Sequence, residues 1–400
     1  MHKKSLLVLF VLYLASSLVS YGAFAFLGVS STVSLSGGSS GQQAGDESDS
    51  TALGALLQIE PGTKADQACP LNGKLYTSVE KQAWEKKRPL AVMIENHPDS
   101  RPQSGLSDAD IVFEALAEGG VTRFMALFYC GVQKFDTTLA PVRSARSYFV
   151  DWASGFNFPL YVHVGGANLP GPADALGQIN EYGWAQENDL NQFSIGYPTF
   201  VRNSNRLGRD VATEHTMETT TELLWEEGVE RDWTNMSPAR KIGKKSYQAE
   251  DWQAGYTPWT FQKSAPADGT VTSISYEFWD GFSQYGVSWK YDAASKQYQR
   301  SMAGEAHKDL NDGQQIMAST VIVLFTQEKG PVDELKHMLY TTTGTGKAVV
   351  FQNGEAISAR WSKKDRESQL VFTDNKGGDL ELAPGLIWIS VLDDSTEVNY

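Results

Sequence analysis

The chain has 400 residues, of which 41% are hydrophobic and 11% aromatic, so it can bury a sizeable core and is not a disordered tail. Its 48 acidic residues outnumber its 34 basic residues, and the resulting net charge of −14 argues against nucleic acid as a partner. Its two cysteines are too few for a disulfide-rich scaffold or a multi-cysteine zinc site. The length predicts two or three domains of about 150 residues.

The N-terminal segment 1–29 has the pattern of an export signal. Lys3 and Lys4 precede an apolar stretch, 6–29. This stretch is long enough to span a bilayer as an uncleaved anchor, and it also fits a signal peptide that is cleaved near Ala25. We expect an anchor in the cell membrane, with secretion after cleavage as the alternative. In both cases the bulk of the chain lies outside the cytoplasm.

Residues 30–84 are predicted to be a flexible linker and lead-in, because the segment SGGSSGQQAGDESDS is polar and rich in glycine and serine. Cys69 and Cys130 then lie in an extracytoplasmic setting, where disulfides persist. A bond between them would close a loop of about 60 residues and stabilise the fold by about 4 kcal/mol in the chain-entropy model. We favour this disulfide over two free thiols.

Residues 85–235 mix strand and helix patterns, which predicts an N-terminal α/β domain. Apolar runs at 89–95 and 160–164 predict buried strands. The two strand-like runs 111–118 and 121–130 flank a Gly-Gly pair, which predicts a β-hairpin. Helical spacing is found at 144–153, 173–179 and 217–227.

Residues 241–400 show short apolar runs separated by turn signals such as Asn353 followed by Gly354. They predict a mostly antiparallel β-rich domain, either a sandwich or a barrel. The fold class we expect is therefore α+β, a mixed α/β domain followed by a β-rich domain. The eleven tryptophans are interpreted as core packing in preference to a platform for stacking on sugars. The predicted strands are 272–278, 286–291, 297–301, 320–325, 346–351, 356–361, 369–373 and 386–392.

Two carboxylates and an arginine are predicted to share one face of the hairpin. A two-residue loop would place Glu118 opposite Val121 and Glu114 opposite Met125, so that both acids lie on the same face of the hairpin as Arg123. Such a group can supply an acid/base pair with tuned pKa values. It can also be a structural ion cluster, and this is the interpretation that we favour.

Two arginines and two histidines complete the polar set. Arg143 and Arg146 flank the start of a predicted helix, where guanidinium groups can bind carboxylate or phosphate or can pair with the hairpin acids. His163 precedes a Gly-Gly pair, and His215 precedes a predicted helix. Such a histidine is more often a hydrogen-bonded core residue than a general base or a ligand. No H-E-x-x-H spacing occurs, so we expect no metal.

Long, uncommon motifs occur throughout residues 85–400. The first half contains RPLAVMIENHPDSRPQSGLSDADIVFEALAEGGVTRFMALF, PVRSARSYFVDWA and YVHVGG, and the second contains GVSWKYDAASKQYQR, AHKDL, GKAVVFQNGEAISARW and ELAPGLIWISVL. These segments resemble the two domains of the YerB-like lipoprotein family. The resemblance implies a two-domain extracytoplasmic protein and no established catalytic residues. Typical members carry a lipobox cysteine, whereas no cysteine precedes Cys69 here, so a transmembrane anchor or secretion would replace the lipid.

The polar residues of these motifs are expected to line one cleft. We expect a cell-envelope protein that binds an anionic or glycan-like envelope component, with the membrane as its other partner and no cofactor. The alternatives are an envelope hydrolase or transferase with a Glu acid/base and Arg anion holders, or a structural assembly protein. The sequence decides neither whether the protein is an enzyme nor its oligomeric state. The catalytic candidates are Glu114, Glu118 and His163, and the ligand-binding candidates are Glu95, Asn96, Arg101, Arg123, Arg143, Arg146 and His215.

Overall fold

A computed structural model of the chain describes residues 56–237, 239–242 and 244–400. The predicted signal or anchor segment and the part of the linker up to residue 55 lie outside the described residues. None of the helices in the described ranges is both long and apolar enough to cross a membrane. These ranges contain the α-helices α1 (Ser78–Trp84), α2 (Ser147–Ser154), α3 (Ala175–Glu181), α4 (Gln192–Ile195) and α5 (Thr221–Glu230).

The strands of the first half, up to residue 237, are numbered in chain order. They are β1 (Ala65–Ala68), β2 (Leu75–Thr77), β3 (Leu90–Glu95), β4 (Ile111–Glu118), β5 (Val121–Phe128), β6 (Thr138–Leu139), β7 (Leu160–His163), β8 (Asp189–Asn191), β9 (Val201–Arg202), β10 (Met217–Thr220) and β11 (Met236–Ser237).

The second half continues the same numbering. Its strands are β12 (Arg240–Ile242), β13 (Lys245–Tyr247), β14 (Glu250–Asp251), β15 (Thr260–Phe261), β16 (Ser273–Tyr276), β17 (Val287–Asp292), β18 (Gln297–Met302), β19 (Glu305–Ala306), β20 (Met317–Ala318), β21 (Thr320–Thr326), β22 (Glu328–Lys329), β23 (Leu339–Tyr340), β24 (Gly344–Gln352), β25 (Glu355–Lys363), β26 (Val371–Asp374), β27 (Glu381–Leu382) and β28 (Ile387–Asp393).

Ten of these strands form one large sheet, in the order β26-β25-β24-β21-β28-β4-β5-β3-β7-β8. Strand β28 pairs in parallel with both β21 and β4, so it joins the strands of the second half to those of the first. The central strands read as nearly continuous apolar runs because both of their faces are buried. The two halves therefore share one sheet, and the domain boundaries given above stay a prediction.

The two faces of the large sheet are covered differently. Helix α2 packs on one face, here called the helix face, where Trp152 stacks on Phe113 with ring centroids 5.8 Å apart. The smaller sheet of β16 to β20 packs on the opposite face, here called the small-sheet face, where Trp289 meets Trp388 at 5.5 Å. The second half thus contains two layered sheets, as in a sandwich, and its described strands close no barrel. The expected α+β fold class is confirmed.

The hairpin and most predicted strands are found within a few residues of their expected ends. Gly119 and Gly120 both have positive φ, which the tight hairpin loop requires. The predicted helix 217–227 is partly wrong, because its first four residues form strand β10. Thr219 and Thr220 pair there with β6, and the Thr220 hydroxyl accepts from the Leu223 amide to cap α5.

The predicted disulfide between Cys69 and Cys130 is present and links the lead-in segment to the end of β5. Beside it lies the fully buried carboxyl group of Asp110, which accepts from the amides of Tyr129 and Cys130 and from the Asn72 side chain. Burial raises the pKa of Asp110 to about 7. The disulfide holds the lead-in segment against the end of β5, and the Asp110 carboxyl group fixes the start of β4 to the same place.

Candidate functional site

A β-bulge in the hairpin decides which face each acidic side chain occupies. The loop pairs Glu118 with Val121 as predicted, but the register then shifts by one residue, so that Ala115 lies opposite Arg123. Glu114 therefore projects from the small-sheet face, while Arg123 projects from the helix face. The predicted grouping of Glu114 with Glu118 and Arg123 is wrong, because the bulge reverses the alternation of side chains beyond it.

A cluster of charged side chains lies on the helix face at the end of β3 and the start of β5, next to the start of α2. It is called the arginine cluster here. Six of the sequence-predicted residues meet in it, although they come from four separate segments of the chain. Its members are Glu95, Glu118, Arg123, Arg143, Arg146 and His215.

Glu118 is held between two guanidinium groups. Its Oε1 accepts from Arg123 at 2.7 Å, and its Oε2 accepts from Nε and a terminal nitrogen of Arg146 at 2.9 and 2.6 Å. Burial alone would raise the pKa of Glu118, but the two arginines outweigh it and lower the pKa to about 2. Glu118 is therefore ionised at neutral pH and is not a proton donor there.

Glu95 forms the second half of the cluster. Its Oε1 accepts from Arg143 Nε at 3.0 Å, and its Oε2 lies 2.8 Å from Nδ1 of His215. The His215 ring in turn stacks on His97, with ring centroids 4.9 Å apart, and Asp99 lies beside both rings. Glu95 therefore connects the arginines to a small group of histidines at the rim.

The arginine cluster carries more positive than negative charge. Three guanidinium groups face two carboxylates, and Nε of the buried Arg123 has no hydrogen-bond partner among the described residues. Arg143 and Glu118 are the open side of the cluster, since 27% and 28% of their side chains are exposed, whereas Arg123 and Arg146 are buried. An excess of guanidinium groups, of which that of Arg143 reaches solvent, suits an anion.

Glu114 belongs to a different network, on the small-sheet face. It is fully buried, and its Oε2 accepts from Arg300 at 2.7 Å and from the Trp388 indole at 3.2 Å. The Thr122 hydroxyl lies 3.0 Å from Oε1, and the Asn96 amide donates to the same hydroxyl at 2.6 Å. Because this carboxylate is saturated with donors and closed to solvent, its role is structural.

The same network continues through a neutral histidine. Arg300 donates to Nδ1 of His307, and Nε2 of His307 donates to the Gln103 side chain at 2.8 Å. Burial, together with the nearby charge of Arg300, holds the pKa of His307 well below its ordinary value. Arg101 joins the network by donating to the Asn96 side chain at 3.1 Å. The network ties the smaller sheet to the large one.

Sequence reasoning missed Arg300, His307 and Gln103 because they are brought to Glu114 by the packing of the two sheets. The signal that could have found them lies in the motifs of the family resemblance. Arg300 ends the motif GVSWKYDAASKQYQR, and His307 lies in AHKDL. Arg300 and His307 are both buried in the structure, which is unusual for polar and charged residues unless a partner faces them.

His163 joins neither group. Its ring is fully buried, with Nε2 at 2.5 Å from Asp189 and Nδ1 at 2.6 Å from the carbonyl oxygen of Gly165. Both ring nitrogens are thus engaged, as in a hydrogen-bonded core histidine. The predicted residues therefore do not line one cleft, but divide between the two faces of the sheet.

Two sizeable cavities among the described residues lie apart from the arginine cluster. One of about 800 Å³ is bordered by the smaller sheet and the C-terminal residues, and its charged lining residues are Glu277, Asp280 and Glu397. Another, of about 500 Å³, lies between the turn at Trp259 and the end of β25. The acidic lining of the first is unsuited to an anion, so the arginine cluster stays the best candidate for an anionic ligand.

Comparison with known proteins gives a consistent family. Two models described as "Protein of unknown function (DUF3048)" match, the N-terminal domain over residues 76–234 and the C-terminal domain over residues 276–389. The chain is 28% identical over 340 residues to "Putative lipoprotein YerB" of Bacillus subtilis strain 168, an alignment that covers 84% of this chain and 88% of that protein.

A solved structure agrees with this match. The crystal structure of the YerB protein from Bacillus subtilis superimposes with a TM-score of 0.65 at 26% identity and covers 84% of this chain and all of that one. The two domain matches together span more than half of the chain and follow the order of its two halves. The chain therefore belongs to the DUF3048 family and is a YerB-like member of it.

Proposed function

We propose that this protein binds an anionic component of the cell envelope at the arginine cluster. The observation that carries the proposal is the excess of guanidinium groups over carboxylates in a cluster that opens to solvent at Arg143 and Glu118, together with the unused Nε of the buried Arg123. The chain as a whole carries a net charge of −14 and therefore repels anions in general. An anion that fits this local positive site is favoured over other anions.

An extracytoplasmic place in the envelope is part of the same proposal. The N-terminal sequence has the charge and apolar pattern of an export signal or an anchor, and the similar protein of Bacillus subtilis is named as a lipoprotein. The glycine- and serine-rich linker that follows would let the folded part reach its ligand from the membrane. Polymers bearing phosphate or carboxylate groups are ligands of the required chemistry.

The alternative of an acid/base enzyme has less support from the geometry. Glu118 is ionised at neutral pH because its pKa is lowered to about 2, and Glu114 is closed to solvent by Arg300 and Trp388. Neither carboxyl group can serve as a general acid in this arrangement. The carboxylate of Glu118, which stays ionised between two arginines, is instead suited to hold the guanidinium groups in place.

The proposal is tested by co-sedimentation of the purified protein with cell-wall sacculi before and after acid extraction of their anionic polymers. Arg143→Gln removes the exposed guanidinium and is expected to weaken binding about tenfold, the effect of one charged hydrogen bond. Arg360→Gln, at an exposed arginine five strands away from β5, is the matched control and should bind as the wild type does.

Two results would contradict the proposal. Equal sedimentation of the protein with intact and extracted sacculi would show that anionic polymers are not the ligand. Release of soluble wall fragments by the wild type but not by Glu118→Gln, detected by mass spectrometry, would instead establish an enzyme that uses Glu118 in catalysis.

A further inference from the structure

We infer that His97, Asp99 and His215 form a binding site for one divalent transition-metal ion of the zinc type. One donor atom from each of these three side chains lies within 4.8 Å of the donor atoms of the other two. Imidazole nitrogens with one carboxylate oxygen are a donor set that zinc sites use, with a further position left to water or ligand.

The partner of His215 determines which of its ring nitrogens can act as a ligand. Nδ1 of His215 lies 2.8 Å from Glu95, and since a carboxylate only accepts, this nitrogen carries the proton. Nε2 of His215 then carries the lone pair that a metal needs. A carboxylate behind a histidine is the usual second layer of a metal site, where it orients the ring and raises its basicity.

The spacing between the other two ligands also fits. Nδ1 of His97 lies 3.7 Å from Oδ2 of Asp99, close to the separation of about 3.4 Å between two ligands of a tetrahedral ion at 2.0–2.1 Å. The amide of Asp99 donates to the same Nδ1 at 3.2 Å, so this nitrogen is unprotonated. His97 and Asp99 therefore bring an unprotonated ring nitrogen and a carboxylate oxygen close together, and the lone pair of that nitrogen becomes available to a metal once the ring turns away from the Asp99 amide.

The two loops that supply the ligands are tied together by arginines. Arg206 donates to the carbonyl oxygens of Ser100 and Pro102, and Arg209 donates to that of Asp99 at 2.8 Å. Residues 97–102 are thereby held against the segment that precedes His215. Prior positioning of ligands from distant parts of the chain lowers the entropic cost of binding an ion.

Binding requires one movement, a rotation of the His97 ring. The two imidazole rings are stacked with an interplanar angle of 13°, whereas a metal lies in the plane of each ring that binds it. The side chain of His97 is 40% exposed, so the ring can turn about its Cβ–Cγ bond without displacing core residues. His215 is buried and fixed by Glu95, so it keeps its orientation.

The inference is tested by titrating the full chain, purified without a histidine tag, with Zn²⁺ in a calorimeter and with Co²⁺ in a visible spectrometer. We expect one ion per chain. His97→Gln and Asp99→Asn, both at accessible positions, should each lower the Zn²⁺ affinity at least tenfold, and Glu95→Gln should lower it 10- to 100-fold. Thermal unfolding of each variant checks that it is folded.

The control is His337→Gln, which removes a histidine that also pairs with a carboxylate, Asp333 at 2.7 Å, but at another place in the fold. Its Zn²⁺ affinity should equal that of the wild type. Absence of stoichiometric Zn²⁺ binding by the wild type would overturn the inference, and so would binding that survives His97→Gln and Asp99→Asn. Neither result bears on anion binding, because the arginines that carry that proposal are intact in both variants.

Discussion

Replacement of Glu118 by glutamine tests how the arginine cluster is held together. The substitution keeps the shape of the side chain but removes the negative charge from between Arg123 and Arg146, of which 2% and 7% of the side chains are exposed. The pKa of Glu118 is lowered from 4.5 to about 2, which at about 1.4 kcal/mol per pH unit corresponds to about 3 kcal/mol of folding stability at neutral pH. Loss of one partner of a buried ion pair costs a similar amount.

The assay is urea unfolding followed by tryptophan fluorescence, at pH 7 and at several lower pH values. At pH 7 we expect Glu118→Gln to unfold with about 3 kcal/mol less free energy than the wild type. Because the folded-state pKa lies below the unfolded-state value, this stabilisation is complete above about pH 4.5 and is lost as the pH falls toward about 2. The two proteins should therefore converge in acid.

The control is Glu305→Gln, at an exposed carboxylate, which should change the free energy of unfolding by no more than about 0.5 kcal/mol. Added phosphate should stabilise Glu118→Gln more than the wild type, because an anion that binds only the folded state can replace the lost carboxylate. Equal stability of Glu118→Gln and the wild type at pH 7 would refute the reasoning, since it would show that the two arginines need no counter-charge.

Three further outcomes follow from buried groups elsewhere in the fold. Replacement of Cys69 and Cys130 by serine should lower the free energy of unfolding by about 4 kcal/mol, measured by urea titration, and reductant should then have no further effect. Arg300→Met leaves the buried carboxylate of Glu114 unpaired and should cost 3–5 kcal/mol or prevent folding, whereas a double variant with Glu114→Leu should recover part of the loss in a double-mutant cycle. Because the folded-state pKa of Asp110 is raised to about 7, the stability of the wild type should fall as the pH rises from about 4 to about 7, and Asp110→Asn should remove this component of the pH profile.

The strands were predictable from the sequence because their signal is local. An apolar run such as 89–95 predicts a strand buried on both faces, and the Gly-Gly pair predicts the loop that connects β4 and β5. The disulfide was predictable from the count of two cysteines behind an export signal. Thr219 and Thr220 were missed as strand residues because helical periodicity outweighed their β-branched character.

The candidate site was less predictable, because it depends on a bulge and on contacts between distant segments. One extra residue between Leu116 and Glu118 moves Glu114 to the other face, and no local pattern marks that insertion. Arg300 meets Glu114 from 186 residues away, through the packing of two sheets. The type of a residue can suggest its chemistry, but the partners that set its charge and exposure come from the tertiary fold.

The measurement that tests anion binding most directly is a calorimetric titration of the purified protein with a soluble polyanion, inorganic polyphosphate in one series and polygalacturonate in the other. We expect the wild type to bind one of the two polymers, and we expect Arg360→Gln to bind that polymer with the affinity of the wild type. Arg143→Gln should bind about tenfold more weakly. Glu118→Gln should bind more tightly, because it leaves two further guanidinium groups without their negative partner. Absence of binding to both polymers, or equal affinity of Arg143→Gln and the wild type, would contradict a role of the arginine cluster in anion recognition.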